Sequence, residues 1–136
     1  MTAPKYLLDT DTFVFIRRGR PATARERLAQ LQPGEAIMSI ISHGELLYGI
    51  NKKRVGPESF RDLEELVSFI EVETLPPRAA EVYGEIRAAL AVRGEVIGAN
   101  DLWIAAHAIC LGLTLVTNNE REFRRIPGLK IENWIN

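Results

Sequence analysis

Short apolar runs alternate along the chain with longer stretches in which apolar residues recur at helical spacing. The apolar runs predict strands over residues 5–8, 36–41, 70–75, 113–117 and 129–132, the last at a sheet edge. The periodic stretches predict helices over 13–18, 21–32, 42–50, 58–69, 78–93 and 102–111, and a short helix that reaches Phe123. This alternation is typical of an α/β fold. We expect one domain over residues 1–136, with a central, mostly parallel sheet of four to five strands and helices on both faces.

Composition and charge narrow the class of protein. The 136 residues are 46% hydrophobic and 26% charged, with a net charge of −1 and a single cysteine, Cys110. One cysteine excludes an intramolecular disulfide and a cysteine-rich zinc site, and the net charge excludes a globally basic nucleic-acid binder. No apolar run approaches the roughly 20 residues that cross a bilayer, and the first residues lack a signal-peptide pattern. We therefore expect a cytoplasmic protein without membrane contact.

Polar side chains follow the predicted strands at the points where the strands end. Asp9 directly follows the first strand, Glu45 lies in the first turn after the second, and Asn119 follows the strand that ends at Thr117. Asp101 begins a helix that is otherwise largely apolar. Because the carboxyl ends of parallel strands share one edge of a sheet, we expect Asp9, Glu45 and the region of Asn119 to converge there, and Asp101 to join them if its helix starts at that same edge.

Clustered carboxylates repel one another and need compensation. Two charges about 4 Å apart at an effective dielectric near 20 cost on the order of 4 kcal/mol. Hard oxygen ligands without a His or Cys cluster favour Mg²⁺, with Mn²⁺ as a substitute, over Zn²⁺. Each acid taken alone is more simply explained as a helix cap, and Glu45 is the acid of a predicted capping box that begins at Ser42. Several such groups on one edge favour the cation site.

Four segments carry a resemblance to a known family. They are LLDT (7–10), SIISHGELLYG (39–49), IGANDLWIAAHA (97–108) and LVTNNEREF (115–123). In this order and spacing they resemble the PIN-domain ribonucleases, and among these the VapC toxins of type II toxin–antitoxin modules. The resemblance covers nearly the whole chain, from Tyr6 to Trp134.

The resemblance implies a Mg²⁺-dependent endoribonuclease that acts on tRNA or rRNA and is held inactive by a cognate VapB antitoxin. It also implies a homodimer, and a higher assembly with the antitoxin. By matching motifs, Asp9 and Asp101 are the main metal ligands and Glu45 completes the acidic site, while Thr117 orients water or phosphate.

Two positions depart from the family pattern. Asn119 stands where the family often has a fourth acid, and its amide adds no charge for a second metal ion; Glu120 or Glu122 is the alternative fourth acid. Asp11 stands where the family commonly has Asn, and adds a carboxylate near the site.

Basic residues occur in three patches, each of which is also explained as a solvated surface. The patches are Arg17, Arg18, Arg20, Arg25 and Arg27; Lys52, Lys53 and Arg54; and Arg121, Arg124 and Arg125. The first and third flank the predicted acidic edge, and phosphate contacts supply most non-specific affinity for RNA. The predicted RNA contacts are Arg17, Arg18, Arg20, Arg121 and Arg124.

Other functional interpretations of the same residues remain open. Asp9 and Asp11 match the start of haloacid-dehalogenase-type phosphatases, as nucleophile and general acid/base, although no Lys occurs between Arg54 and Lys130. An interaction module that has lost catalysis is a second alternative. A dinucleotide-binding domain is disfavoured, since no G-x-G-x-x-G follows the first strand. His107, inside the apolar helix, is expected to be a hydrogen-bonded core residue.

Overall fold

A computed structural model describes residues 2–53 and 56–135 of the chain. The strands are β1 (Tyr6–Leu8), β2 (Ala36–Ser39), β3 (Glu71–Glu73), β4 (Thr114–Val116) and β5 (Lys130–Glu132). The helices are α1 (Thr10–Arg18), α2 (Ala22–Ala29), α3 (Ile40–Lys53), α4 (Pro57–Val67), α5 (Arg78–Val92), α6 (Ala99–Leu111) and α7 (Glu120–Phe123).

The five strands form one sheet in the order β3-β2-β1-β4-β5. Every pairing is parallel, and Leu8 at the end of the central strand β1 lies opposite Met38 of β2 and Val116 of β4. The predicted α/β class is therefore confirmed, with β5 at an edge as expected. All strands end at the same edge, so the segments that follow β1, β2 and β4 start side by side.

Alternate residues of each strand face opposite sides of the sheet, and each side has its own core. Leu7, Ile37 and Leu115 pack with buried residues of α5 and α6 on one face. Leu8 and Met38 on the other face pack with α1, α3 and α4. The sheet is thus covered on both faces. This packing holds the ends of the strands in place relative to the helices that carry the polar residues.

Helix α6 crosses the first of these cores and is buried along most of its length. His107 is fully buried there, and its Nδ1 lies 2.9 Å from Ser39 Oγ, which confirms the expected core histidine. The helix ends at Gly112, whose φ of 69° is in the left-handed region that favours glycine. Among the described residues, no helix combines the length and apolar character needed to cross a membrane.

Three helices begin two or three residues earlier than predicted, and one of them is α6, which begins at Ala99 rather than at residue 102. Helix α3 begins at Ile40 rather than Ser42, because the Ser39 hydroxyl accepts a hydrogen bond from Ile41 N at 3.1 Å and so acts as the cap. Ser42 is therefore buried inside the first turn, and the predicted capping box with Glu45 does not form. Helix α1 begins at Thr10 rather than at residue 13, and Asp9 caps it.

Candidate functional site

Three acidic side chains come from the segments that follow β1, β2 and β4, and a fourth lies at the start of α6, which follows α5. Asp9 directly follows β1, Glu45 lies in the second turn of α3, Asp101 in the first turn of α6 and Glu122 in α7. The parallel register of β2, β1 and β4 brings the segments with Asp9, Glu45 and Glu122 to one edge, and the charges of these three acids act on Asp101 at the start of α6. The structure thus brings together the acids that the sequence predicted, and of the two alternatives for the fourth acid it places Glu122 beside Asp101.

Asp9 serves both the local fold and the site. Its Oδ1 accepts a hydrogen bond from Thr12 N at 2.8 Å, and its backbone N–H donates to Val116 O at 3.0 Å. The residue is only 5% exposed. Burial raises the pKa of the Asp9 carboxyl above its usual value, while hydrogen bonding to Thr117 and Thr12 acts in the opposite direction. The fold thus holds a carboxyl where its negative charge is poorly solvated.

Glu45 is held by groups that sequence reasoning did not single out. Thr10 Oγ1 donates to Glu45 Oε1 at 2.6 Å, and Asn100 Nδ2 donates to Oε2 at 3.4 Å. Thr10 also lies 3.0 Å from Ser42 Oγ. In the sequence, the only indication of these partners is that Thr10 directly follows Asp9 and Asn100 directly precedes Asp101. Together they join α1, α3 and α6 around one carboxylate.

Asp101 experiences the charge of the other three acids. Its pKa is raised to about 7, mainly by burial and next by a hydrogen bond and charge repulsion with Glu122. The charges of Glu45 and Asp9 raise it further. Within residues 2–53 and 56–135, no Lys or Arg forms a salt bridge with any of the four acids. No described basic side chain therefore offsets the repulsion among these carboxyl groups, and this repulsion contributes to the raised pKa of Asp101.

Thr117 and Asn119 support this group of acids. Thr117 is fully buried, and its Oγ1 accepts from Asn119 N at 3.0 Å. Asn119 Nδ2 donates to Glu122 Oε2 at 2.6 Å. Glu120 faces away, toward Arg124 and Asn133. Of the alternatives for the fourth acid, the structure therefore places Glu122 beside Asp101, with Asn119 as its hydrogen-bond donor.

The predicted RNA contacts fall into three groups. Arg17 and Arg18 line a groove between α1 and α3 that also contains Glu45 and Lys53. Arg121 lines a cavity beside Asn119 and Glu122 together with Arg125, a residue outside the predicted set.

Arg20 and Arg124 line neither opening. Arg20 is exposed beyond the end of α1, and Arg124 forms a salt bridge with Glu120 at 3.3 Å. Arg54, from the second basic patch, lies outside the described residues. Contact of any of these side chains with RNA stays a prediction.

The arrangement can be compared with known proteins on the basis of both sequence and fold. The PIN domain family matches residues 6–129. The chain belongs to the PIN-domain family. This membership confirms the resemblance and leaves the phosphatase and dinucleotide-binding alternatives without support.

Individual relatives match this PIN domain over almost its whole length. A tRNA(fMet)-specific endonuclease VapC of Shigella flexneri is 40% identical over 130 residues, which is 96% of this chain and 98% of the relative. A ribonuclease VapC of Haemophilus influenzae is 37% identical over 131 residues, again 96% and 98%. The solved structure of VapBC2 from Rickettsia felis, bound to a DNA fragment from their promoter, aligns with a TM-score of 0.89 at 36% identity. That alignment covers 98% of this chain and 99% of the other.

VapC nucleases of the PIN-domain family generally depend on a divalent metal ion. The residues of this site fit one by their chemistry, since their donors are carboxylate and hydroxyl oxygens and no described basic side chain offsets the repulsion among the carboxyl groups. In the described parts of the chain, however, no three His, Cys, Asp or Glu side chains already surround one point as an ion would require. Glu45 and Glu122 instead accept hydrogen bonds from Thr10 and Asn119.

Proposed function

We propose that this PIN domain is a metal-dependent endoribonuclease toxin that hydrolyses RNA phosphodiester bonds. The observation that carries the proposal is the group of four acids, in which Asp101 has a pKa raised to about 7 by burial and by its acidic neighbours. Carboxyl groups that repel one another destabilise the fold, and groups with strongly shifted pKa values cluster at functional sites. A site that binds a cation is one such case. The ribonuclease and endonuclease names of relatives at about 40% identity support the same activity.

We propose Mg²⁺ as the ion, with Mn²⁺ able to replace it. Asp9, Asp101 and Glu45 would hold it, and Glu122 takes the place of the fourth acid that Asn119 does not supply. When bound, a divalent ion neutralises charge on the phosphate and lowers the pKa of water. Hard oxygen donors favour these two ions over Zn²⁺.

The remaining side chains position the acids. Thr10 and Asn100 orient the two oxygens of Glu45, and Asn119 orients Glu122. The buried Thr117 hydroxyl lies beside Asp9, where it stabilises the charged carboxylate or orients water or phosphate. These contacts pre-organise charge before the RNA arrives, which is how enzymes stabilise phosphoryl transition states.

The partners follow from the relatives. We propose inhibition by a VapB-type antitoxin, a homodimer that forms a higher assembly with it, and a cytoplasmic location where RNA is encountered. VapBC2 of Rickettsia felis, the structural relative with a TM-score of 0.89, supports the antitoxin. The name of the Shigella flexneri relative makes initiator tRNA the first substrate to test, before rRNA.

The test is cleavage of initiator tRNA by purified protein in Mg²⁺, in Mn²⁺ and in EDTA. We expect cleavage with either ion and none in EDTA. Asp9→Asn and Asp101→Asn should each lower the rate by about 100-fold or more. Glu85→Gln, the corresponding loss of one carboxylate at an exposed residue of α5, is the matched control and should cleave like the wild type.

Two outcomes would contradict this proposal. Equal cleavage by Asp9→Asn and the wild type would place the activity elsewhere or in a contaminant. Failure of the wild type to cut initiator tRNA, total tRNA or rRNA, with intact antitoxin binding, would favour the interaction module without catalysis.

A further inference from the structure

Two cation-lined openings adjoin the acids from different sides. The first is the groove between α1 and α3, which has Thr10 and Glu45 at one end and Arg17, Arg18 and Lys53 farther along. We call it the α1–α3 groove. The second, the α7 cavity, is lined by Asn119 and Glu122 together with Arg121 and Arg125. The α1–α3 groove follows β1 and β2, whereas the α7 cavity follows β4 on the other side of β1.

The spacing along α3 separates the cations of the α1–α3 groove from the acids. Glu45, Gly49 and Lys53 recur every four residues and line the same opening. Eight residues of helix correspond to about 12 Å. On the opposite wall, Thr10 and Arg18 are separated by the same number of residues of α1. The backbone positions of these cations therefore lie about 10–12 Å along the groove from those of Thr10 and Glu45, which places them beside phosphates that neighbour the reacting one.

The cations of both openings are available to a ligand. Among the described residues, none of Arg17, Arg18, Lys53, Arg121 and Arg125 forms a salt bridge. Four of them are exposed, and Arg17 is half-buried. Cations without a described salt bridge therefore lie on both sides of acids that also have none. This arrangement is complementary to a ligand with evenly spaced negative charges that passes over the acids. A polynucleotide strand has this property.

We propose that a single-stranded segment of RNA crosses the acids, with phosphates on one side of the reacting bond held in the α1–α3 groove and those on the other side in the α7 cavity. Arg17, Arg18 and Lys53 bind the first set, and Arg121 with Arg125 binds the second. The proposal rests on the proposed ribonuclease function. It replaces Arg20 and Arg124 of the sequence prediction with Lys53 and Arg125.

The test measures RNA binding without catalysis, so that it does not depend on the nuclease assay. A fluorescently labelled 15-nucleotide single-stranded RNA is titrated in EDTA at several salt concentrations, and binding is followed by anisotropy. Each lost phosphate contact reduces the slope of log K against log salt by about 0.7. We expect a reduction of about 2 for Arg17→Gln/Arg18→Gln/Lys53→Gln and about 1.4 for Arg121→Gln/Arg125→Gln, with additive effects when combined.

The charge control is Lys5→Gln/Lys130→Gln, at the opposite ends of the strands. It removes as much charge as the α7 cavity variant and should leave the slope unchanged.

A steric variant keeps the charge constant. Gly49→Leu places a side chain inside the α1–α3 groove, where a Cβ meets no heavy atom within 4 Å. We expect RNA affinity to fall at least 10-fold. Gly84→Leu, at an equally open position of α5, should bind like the wild type.

The proposal is overturned if the control variants weaken RNA binding as much as the groove variants. It is also overturned if the groove variants keep the wild-type slope and lose only affinity for a VapB-type antitoxin, because the openings would then be protein-docking surfaces. If Asp9→Asn loses cleavage but keeps the wild-type salt slope of RNA binding, the RNA path remains supported. If the enzyme is active and every groove and cavity variant keeps the wild-type salt slope, the RNA path alone is rejected.

Discussion

Among the acids of this site, Asp101 has the pKa that neighbouring charges raise most clearly. Its pKa is raised to about 7 by burial and by Glu122, Glu45 and Asp9, whereas an isolated Asp titrates near 3.8. Between these two pH values the folded chain binds more protons than the unfolded chain. Raising the pH through this window therefore lowers the free energy of unfolding of the metal-free protein.

Thermal unfolding in EDTA tests this pH dependence. The wild type should lose several degrees of melting temperature between pH 5 and pH 8, and Asp101→Asn should lose less because the titrating group is gone. Glu85→Gln should follow the wild type. An equally steep decline in Asp101→Asn would show that Asp101 is not the group responsible.

The side chains of Glu120 and Glu122 in α7 have different neighbours, and this difference predicts which of them contributes to cleavage. Glu122 lies beside Asp101, while Glu120 pairs with Arg124 and Asn133. Glu122→Gln should lower the cleavage rate roughly 10- to 100-fold, within the range for groups that support metal sites. Glu120→Gln should stay within about 2-fold. A larger loss in Glu120→Gln than in Glu122→Gln would reverse the assignment.

At the scale of elements, the start of α3 depends on Ser39. Its hydroxyl caps the helix at Ile41 N and lies 2.9 Å from His107 of α6. Ser39→Ala should therefore lower the free energy of unfolding by about 1–2 kcal/mol, measured by urea denaturation. Cleavage should persist in the folded fraction, because Ser39 touches none of the acids. Ser68→Ala, an exposed serine at the end of α4, is the control and should change stability little. Unchanged stability of Ser39→Ala would show that the cap contributes nothing.

The order and type of the elements could be predicted from the sequence because hydrophobic periodicity records which faces are buried. The starts of α1 and α3 could not, since several neighbouring residues there are good caps. Asp9 competes with Thr10, and Ser39 with Ser42. Only the packed structure decides which oxygen meets a free backbone N–H. The convergence of Asp9 and Glu45 could be predicted from the parallel strands, whereas that of Asp101 depended on where α6 begins. The choice of Glu122 over Glu120 depends on the direction of side chains within one helical turn.

At the scale of the whole molecule, four separate segments bring acids to one place, so an ion that joins them should stabilise the entire fold. Divalent cation at 100 times its dissociation constant adds about 2.7 kcal/mol. For a domain of this size that is a rise of several degrees in melting temperature. Mg²⁺ or Mn²⁺ should produce this rise at pH 8 in the wild type.

The double variant Asp9→Asn/Asp101→Asn provides the comparison for this stabilisation. It should melt at the same temperature with and without the ion. The same rise in the double variant would mean that the ion binds away from the acids.

The double role of Asp9 has an evolutionary consequence. The carboxylate that helps form the acidic site also anchors the first turn of α1 through its Oδ1. Asparagine caps a helix about as well as aspartate, whereas alanine does not. Descendants of this chain that abandon RNA cleavage while keeping their shape should therefore drift to Asn at position 9 more readily than to Ala, and this single exchange would mark a silenced toxin.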